Sequence, residues 1–299
     1  MLERPQISVL VANVNGSPMI EACLDALAAQ SGAALAEVIV ADATSDAARA
    51  ELSRRFPSVR VLPFPRRTSI PILRTAAFDA SRASIVAVTE DHCVPDKNWI
   101  EEILRAHHAD AGVVGGPVEN GCRDRIIDWA VYFCEYARNM SPVPDGESTD
   151  IPGVNVGYKR ELLARHRAIM EEGFWEGLVH PRLVAEGVRF VSSPRIVVVH
   201  TKRFGFFYFL GQRFVYSRYY AGTRVAGAPL AKRAIYAAAT AILPVLLAYR
   251  ITREVMRKGR NRARYAASLP ALVPFLMMWA IGEFAGYLFG PGDSLSRIE

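Results

Sequence analysis

The first hundred residues alternate short apolar runs with segments in which apolar residues recur at helical spacing. The apolar runs are rich in β-branched residues, as buried strands are, and they cover Ile7–Ala12, Glu37–Ala41, Val59–Leu62 and Ser84–Thr89. The helical segments cover Met19–Ala29, Ala47–Arg55, Ile72–Ser81 and Asn98–His107. This alternation predicts an α/β fold, Rossmann-like, with a mostly parallel sheet and flanking helices.

Beyond residue 113 the alternation is looser but continues. Further short strands are predicted at Val113–Gly116, Gly153–Tyr158, Arg189–Val191 and Ile196–His200. Further helices are predicted at Asp124–Arg138, Arg160–Arg167 and Leu178–Glu186, with a loop of large side chains at Gly173–Gly177 before the last of them.

The last hundred residues have a different pattern. Nine of the chain's 29 aromatic residues lie in residues 204–220, and such a segment suits the headgroup region of a bilayer. Ala234–Tyr249 and Tyr265–Gly282 then carry no charged residue, and each is near the roughly 20 residues that a membrane span requires. The predicted organisation is an α/β domain over 1–203, an interfacial segment over 204–232, and two hydrophobic membrane-associated helices over 233–299.

A basic segment separates the two hydrophobic helices. Arg250–Arg264 contains seven Lys or Arg residues and one Glu, a composition that prefers the anionic cytoplasmic leaflet. If both helices spanned the membrane and the first domain were cytosolic, this segment would lie outside, against the positive-inside rule. The sequence therefore favours helices that enter and leave the same leaflet or lie in the interface.

Composition supports a chain of two parts. Hydrophobic residues make up 51% of it, and the net charge of +6 hides a contrast, because residues 1–200 carry 21 Lys/Arg against 26 Asp/Glu and residues 201–299 carry 15 against 4. Four cysteines without paired spacing exclude a disulfide scaffold and indicate reduced thiols. Charged residues precede the first apolar run, which is too short for a signal peptide. We therefore expect a cytosolic catalytic domain at the inner or plasma membrane.

Polar side chains follow three of the predicted strands where each strand ends. Asn13, Asp42 and Glu90–His92 occupy these positions, and ligands of parallel sheets collect at the carboxyl ends of strands. Carboxylates at the tip of a buried strand are costly unless a cation or a hydrogen-bond donor meets them. A divalent ion that bridges a diphosphate is the simplest such partner.

Several motifs occur in a fixed order over about residues 7–220. ISVLVANVNG with CLDALAAQ comes first, then EVIVADATSD, then LRTAAFDASRASIVAVTEDHCVPD, and later PGVNVGYKRELL, FWEGLVHPRLVAEGVRF and GQRFVYSR. Together they resemble the family 2 glycosyltransferases of the GT-A fold. In that family the corresponding stretches form the nucleotide-binding strand and loop, an aspartate on the nucleotide, an arginine with an Asp-x-Asp element, the acceptor side, the catalytic carboxylate and a closing basic segment.

The resemblance implies an inverting glycosyltransferase of the hexosyltransferase type, with Glu176 as the base that deprotonates the acceptor hydroxyl. It assigns to the nucleotide and its diphosphate the residues Asn13, Asp42, Arg74, Asp91, Arg213 and Arg218. It assigns to a metal ion the residues Glu90, Asp91, His92 and His200. It assigns to the acceptor side the residues Asn155, Tyr158 and Trp175.

Two departures from the family pattern bear on the chemistry. Where the family usually has Asp-x-Asp, this chain has Glu90-Asp91-His92, and an imidazole suits Mn²⁺ better than Mg²⁺. We expect a divalent metal, Mn²⁺ or Mg²⁺, the alternative being a site in which arginines alone neutralise the diphosphate. Where many relatives have Glu-Asp, this chain has Glu176-Gly177, so that Glu176 is the remaining carboxylate.

The expected partners are a UDP- or GDP-linked sugar, a lipid-linked or cell-surface polysaccharide acceptor, and the membrane, with no nucleic acid. A basic and aromatic anchor would keep such an enzyme beside a lipid acceptor at high local concentration. Two alternatives remain open from the sequence: a catalytically silent scaffold that binds a sugar nucleotide, and a sugar-phosphate nucleotidyltransferase. The second is disfavoured because Asn13–Ser17 contains no Lys or Arg for a phosphate loop.

Overall fold

The computed structural model describes residues 5–171 and 173–298. The chain divides into two compact units. The first contains the residues up to Gly121 together with Asn139–Lys202, and the second contains Cys122–Arg138 and the residues from Arg203 onward.

The described strands all belong to the first unit. They are β1 (Ile7–Asn13), β2 (Ala36–Asp42), β3 (Arg60–Pro63), β4 (Ile85–Glu90), β5 (Cys93–Pro95), β6 (Val113–Gly115), β7 (Val118–Asn120), β8 (Gly146–Glu147), β9 (Val156–Lys159), β10 (Phe190–Ser192) and β11 (Val198–His200).

The strands form two sheets. The large sheet has the order β3-β2-β1-β4-β9-β6-β10-β8, and its pairs are parallel except those that β9 makes with β4 and β6 and that β8 makes with β10. The predicted mostly parallel sheet is therefore confirmed. A second, small sheet has the order β5-β11-β7. Strand β11 lies within the predicted strand Ile196–His200, whereas β5 and β7, with three residues each, were not predicted.

The helices alternate with these strands and then dominate the C-terminal third. They are α1 (Met19–Ala28), α2 (Asp46–Arg55), α3 (Ile70–Ala80), α4 (Trp99–His108), α5 (Ile126–Tyr136), α6 (Arg160–Arg165), α7 (Glu176–Ala185), α8 (Phe206–Arg224), α9 (Leu230–Ala239), α10 (Leu243–Lys258) and α11 (Arg262–Phe289).

The core of the first unit lies between the large sheet and its helices. Every residue of β1 is buried, and Leu10 and Val88 pack in one cluster with Leu73 and Phe78 of α3. Such continuous burial is typical of a parallel strand that is covered on both faces. The buried strands therefore hold the residues at the carboxyl edge of the sheet in fixed positions.

The second unit consists of α5 and α8 to α11. Helices α8 and α11 lie close together at Gly282, where a Cβ atom would come within 2.0 Å of Ser217 Oγ, and Phe209 and Phe275 meet edge to face at 4.6 Å. Small residues allow such close helix contact. Helix α5 belongs to this unit because its Phe133 packs against Tyr265, with the ring centroids 5.3 Å apart. The sequence pattern had predicted this helix within the domain 1–203.

Two helical stretches of the second unit are long and apolar enough to cross a membrane. They are Leu230–Lys258, with 29 residues and a mean hydropathy of 1.7, and Arg262–Phe289, with 28 residues and a mean hydropathy of 1.5. Most of the first stretch is exposed, including Ile235 and Val245. The length and composition of both stretches fit the predicted hydrophobic helices.

Candidate active site

Strand register brings three of the predicted polar positions to one edge of the large sheet. Asn13 at the end of β1 pairs with Asp42 at the end of β2, and Ala12 pairs with Glu90 at the end of β4. The Asn13 side-chain amide donates to Asp42, and its Oδ1 accepts a hydrogen bond of 3.0 Å from the backbone N–H of Gly16. The strand register thus places these polar residues at one carboxyl edge, where Asn13 and Asp42 are hydrogen-bonded to each other.

Asp42 is completely buried and shapes the loop that follows β2. Its Oδ1 accepts from the backbone N–H of Thr44 at 2.8 Å and from the Thr44 hydroxyl at 2.6 Å, and Arg49 lies 3.6 Å away. Asp42 therefore holds the loop into α2 in place. Its predicted contact with the nucleotide stays a prediction.

Asp91 connects β4 to the loop after β1. One carboxylate oxygen accepts from the backbone N–H groups of Val14 and Asn15 at 2.9 and 2.8 Å, and the other accepts from the Asn15 amide at 2.8 Å. Burial alone would raise the pKa of Asp91, but hydrogen bonds from His92 and Asn15 hold that pKa below its ordinary value. With its oxygens occupied in this way, Asp91 orients its neighbours.

His92 lies between two carboxylates. Its Nδ1 is 2.8 Å from Asp91 Oδ1, and its Nε2 is 3.1 Å from Glu90 Oε2. Burial opposes the charged ring, but these hydrogen bonds raise the pKa of His92 to about 9. The ring of His200 meets His92 edge to face at 4.7 Å, and burial together with the charge of His92 holds the pKa of His200 well below its ordinary value.

Glu90 and His92 present the donor atoms that a divalent ion would need. Their ligand atoms and the thiol of Cys93 lie within 4.8 Å of one another. A carboxylate behind the far nitrogen of a metal-binding histidine is a recurrent arrangement, and Asp91 occupies that place at Nδ1. Oxygen and imidazole donors suit Mn²⁺, so these residues fit a divalent ion that displaces the proton from Nε2.

Arg74 joins this cluster to the candidate base. Its guanidinium donates to Glu90 Oε1 at 2.6 Å and to Glu176 Oε2 at 3.0 Å, and its side chain is only 6% exposed. Burial opposes the charge of Arg74, but Glu90 and Glu176 raise its pKa above the ordinary value. The structure thus brings together three residues that are separated by up to 102 positions in the sequence.

Glu176 is the first residue of α7, two residues before the predicted helix start. The backbone of Gly153 lies directly against its carboxylate, where a Cβ atom at position 153 would come within 2.3 Å of Glu176 Cδ. At the next position, a Cβ atom on Gly177 would come within 2.9 Å of the Trp175 indole. The indole therefore leaves little room for a side chain at position 177.

The three residues predicted for the acceptor side are buried. Asn155 accepts from the indole N–H of Trp99 at 2.7 Å and donates to two backbone carbonyls. The hydroxyl of Tyr158 lies 2.6 Å from His180 Nε2, and Trp175 is 3% exposed. Burial raises the pKa of Tyr158 well above its ordinary value. These side chains support the walls of the site, and their contact with an acceptor stays a prediction.

The two arginines predicted for the diphosphate lie on α8 in the second unit. Arg213 is buried and forms an ion pair of 2.6 Å with Glu135, with the ring of Phe209 4.7 Å from its guanidinium. Arg218 donates to the carbonyl of Gly290 at 3.2 Å. Both therefore have partners within their own unit, and their contact with a diphosphate stays a prediction.

Sequence reasoning did not identify Gly153 and Cys93 as site residues. A glycine before a strand is common, and only the fold shows that Gly153 lies against the Glu176 carboxylate. The sequence did hold a signal for Cys93, since it directly follows the Glu-Asp-His cluster, but an apolar buried thiol is an ordinary core residue.

Comparison with known proteins identifies the family and the fold of the chain. The family model described as glycosyl transferase family 2 matches residues 8–167, and no curated protein matches the chain in sequence. The fold is similar to that of a mannosyltransferase, PcManGT from Pyrobaculum calidifontis, solved in complex with GDP-Man and Mn²⁺. The identity is 18%, the TM-score is 0.59, and the alignment covers 96% of this chain and 88% of that one.

A second solved structure, TarS from S. aureus, aligns with 14% identity and a TM-score of 0.48 over 66% of this chain and 37% of that one. At these identities structural likeness describes the fold, which is GT-A. The family model covers more than half of the chain, including Asn13, Asp42, Arg74 and Glu90–His92. It confirms the expectation of a glycosyltransferase of the hexosyltransferase type. The protein therefore belongs to glycosyl transferase family 2.

Proposed function

We propose that the protein transfers a sugar, with inversion, from a UDP- or GDP-linked donor to a lipid-linked or cell-surface glycan acceptor at the cytosolic face of a membrane. The observation that carries the proposal is the ion-pair network in which Arg74 contacts both Glu90 and Glu176. It brings a candidate base and a candidate diphosphate site to one edge of the sheet, where ligands of such folds bind.

In this mechanism Glu176 removes the proton of the acceptor hydroxyl. The acceptor oxygen then forms a bond to the anomeric carbon while the bond from that carbon to the phosphate oxygen breaks, and the electron pair leaves with the nucleoside diphosphate. General-base catalysis of this kind contributes about 10²- to 10⁴-fold to the rate. Arg74 supports the step because its hydrogen bond of 3.0 Å holds one oxygen of the Glu176 carboxylate in place.

The departing diphosphate carries negative charge that the site must offset. Arg74 is buried and its carboxylate partners raise its pKa, which makes its guanidinium a fixed positive charge that would offset the diphosphate. Glu90 and His92 would hold a divalent ion, which when bound supplies further positive charge to the diphosphate. Asp91 keeps the His92 ring in orientation through Nδ1.

The second unit supports a membrane location. Two long apolar stretches, the exposed side chains of Phe207, Ile235 and Val245, and the basic segment Arg250–Arg264 are all typical of a protein that contacts anionic lipid. An acceptor that is itself held in the bilayer would meet such an enzyme at high local concentration.

A thermal-shift panel of nucleoside diphosphates and sugar nucleotides, with and without Mn²⁺, tests the donor class. A ligand at 100 times its dissociation constant stabilises the folded state by about 2.7 kcal/mol. We expect a shift with one nucleoside diphosphate and its sugar nucleotide, and a larger shift with Mn²⁺ present. No shift with any nucleotide contradicts the proposal, and binding without turnover identifies the protein as a silent scaffold.

A further inference from the structure

The second unit contains a cavity of about 780 Å³ that the proposed reaction does not use. Its wall comes from α5, α8, α10 and α11, and it combines apolar side chains with arginines. Binding cavities for small molecules have volumes of about 300 to 1,000 Å³. The cavity therefore has the size of a ligand site, and its lining indicates what that ligand is.

One face of α10 changes character along the cavity. Leu243, Leu246 and Leu247 line it in the first turns of the helix, and Arg250 and Arg253 line it in the following turns. These positions follow the spacing at which residues share a helix face. With a rise of 1.5 Å per residue, the wall passes from apolar to basic over about 15 Å. An amphiphile with an anionic head matches this order.

The carboxylates in the cavity wall already have partners. Glu135 pairs with Arg213 at 2.6 Å, Glu254 pairs with Arg257 at 2.6 Å, and Glu283 accepts from the Trp279 indole at 2.9 Å. The negative charge of these three carboxylates is thus largely offset by arginines and a hydrogen-bond donor of the same unit. The arginines of the wall add positive charge that faces the cavity.

Arg250 and Arg253 have no side-chain hydrogen bond or ion pair with any other residue that the structure describes. Both side chains are exposed. Arginine binds phosphate in a bidentate manner, and two arginines one turn apart on a helix provide two such forks. A phosphate group at this position would meet both side chains.

We propose that the cavity binds one anionic lipid, with its phosphate at Arg250 and Arg253 and its hydrocarbon chain against Leu243, Leu246 and Leu247. The site takes a single lipid molecule of phosphatidic acid type, in which a phosphate monoester is joined to an apolar chain. This inference goes beyond the proposed reaction, because it holds whether or not the bound lipid is the acceptor.

Trp279 lines the cavity and provides the readout. The full chain in detergent is titrated with phosphatidic acid whose acyl chain carries bromine, which quenches indole fluorescence on contact, and with brominated phosphatidylcholine at the same mole fraction. We expect quenching by phosphatidic acid to exceed quenching by phosphatidylcholine at least threefold, and the excess to be absent in Trp279→Phe. Equal quenching by the two lipids would overturn the proposal.

Two variants with a matched control locate the contacts. Arg250→Gln/Arg253→Gln is expected to weaken phosphatidic acid binding at least tenfold. Arg260→Gln/Arg262→Gln removes the same charge from the same basic segment outside the cavity and leaves the Arg257–Glu254 pair intact, so it is expected to change binding less than twofold. If both pairs weaken binding equally, the attraction is general to the segment and the cavity site is disproved.

Leu246→Phe/Leu247→Phe keeps every charge, adds no indole and narrows the apolar part of the cavity, so it tests the proposal even if the arginine variant fails to fold. We expect it to reduce the excess quenching at least fivefold, and unchanged quenching would rule out a chain in the cavity. Glycerol 1-phosphate has the headgroup without a chain. If it removes the excess quenching as effectively as unlabelled phosphatidic acid, the ligand is a free phosphate and the lipid assignment is wrong.

Discussion

At the scale of single residues, the candidate base owes its position to two neighbours that are far away in sequence. Arg74 holds one oxygen of Glu176 at 3.0 Å, and Gly153 lets the backbone lie directly against the same carboxylate. A catalytic carboxylate must keep its geometry within a fraction of an ångström to work well. Arg74 and Gly153 are therefore positioning residues for Glu176.

Gly153→Ala tests this positioning. A Cβ atom at this position would lie within 2.6 Å of both carboxylate oxygens of Glu176, so the carboxylate must move. A displacement of about 1 Å can cost about 10²-fold in rate. We expect kcat to fall about 10²-fold while the binding of nucleotide, measured by thermal shift, changes little.

The matched control for that substitution is Gly211→Ala. Gly211 lies within α8, and a Cβ atom there would have open space around it. We expect activity close to that of the unchanged protein. Full activity of Gly153→Ala would show that the Glu176 carboxylate does not need its present position.

His107 gives a second prediction at this scale, for stability against pH. Burial, with the nearby charges of Lys159 and His108, lowers the pKa of His107 to about 4, while its Nδ1 bonds to the Ala111 carbonyl at 3.0 Å. The unfolded chain therefore binds the proton first as pH falls. The contribution of His107 to the free energy of unfolding is therefore fully present above about pH 6.5. It decreases by about 3 kcal/mol as the pH falls to about 4.

The measurement is the free energy of unfolding between pH 7 and pH 4. His107→Gln is expected to show a smaller loss of stability across this window than the unchanged protein. His108→Gln is the control, since His108 is exposed and adjacent. If the two variants lose stability equally as pH falls, His107 is not the group that titrates.

At the scale of elements, the sequence predicted the large sheet better than the site around it. Strands such as β1 and β4 are continuous apolar runs of six or seven residues, which the sequence pattern identifies. The register between the strands then places Asn13, Asp42 and Glu90 at one edge of the sheet. Strands β5 and β7 of the small sheet are too short for an apolar pattern to identify them. Helix α7 begins at Glu176 because its start depends on tertiary contacts, which no capping residue announces.

Residue roles also depend on contacts that the sequence does not contain. Asp91 and Glu90 are adjacent in sequence, yet Asp91 accepts from the backbone of a distant loop while Glu90 pairs with Arg74. Asn155 is of a residue type that often binds ligands, but here it is buried and its amide makes three hydrogen bonds within the protein. Only the packing of the folded chain distinguishes a residue that holds the structure together from one that could bind a ligand.

The turn between α10 and α11 gives a prediction at the element scale. If both helices enter and leave the same leaflet, as the basic residues favour, this turn lies on the same side of the membrane as the first unit. The four native cysteines are buried, which keeps the labelling background low. We expect Arg260→Cys and Ser58→Cys to react with an impermeant maleimide only after cells are opened.

Ser58 is exposed in the first unit and serves as the reference for the side that faces the cytosol. Labelling of Arg260→Cys in intact cells, with Ser58→Cys unlabelled, would mean that both helices span the bilayer. The basic turn would then lie outside, and the same-leaflet arrangement would be wrong.

At the scale of the whole molecule, the candidate site and the two long apolar stretches belong to different units. In the first unit Glu90 and Glu176 both pair with Arg74, while the last third of the chain carries 15 Lys or Arg against 4 Asp or Glu. The hydrophobic content that is unusual for a water-soluble protein is concentrated in the helical stretches from Leu230 to Phe289. An enzyme built in this way can act on an acceptor that stays in lipid.

A transfer assay with Glu176→Gln shows whether Glu176 is the base of a sugar transfer. Full-length protein in native membranes is supplied with labelled UDP- and GDP-sugars, and label that moves into the lipid or glycan fraction is measured beside nucleotide binding. We predict that Glu176→Gln loses at least 10²-fold in transfer while it binds the nucleotide as tightly as the unchanged protein. Transfer at the unchanged rate by a folded Glu176→Gln protein would contradict the account.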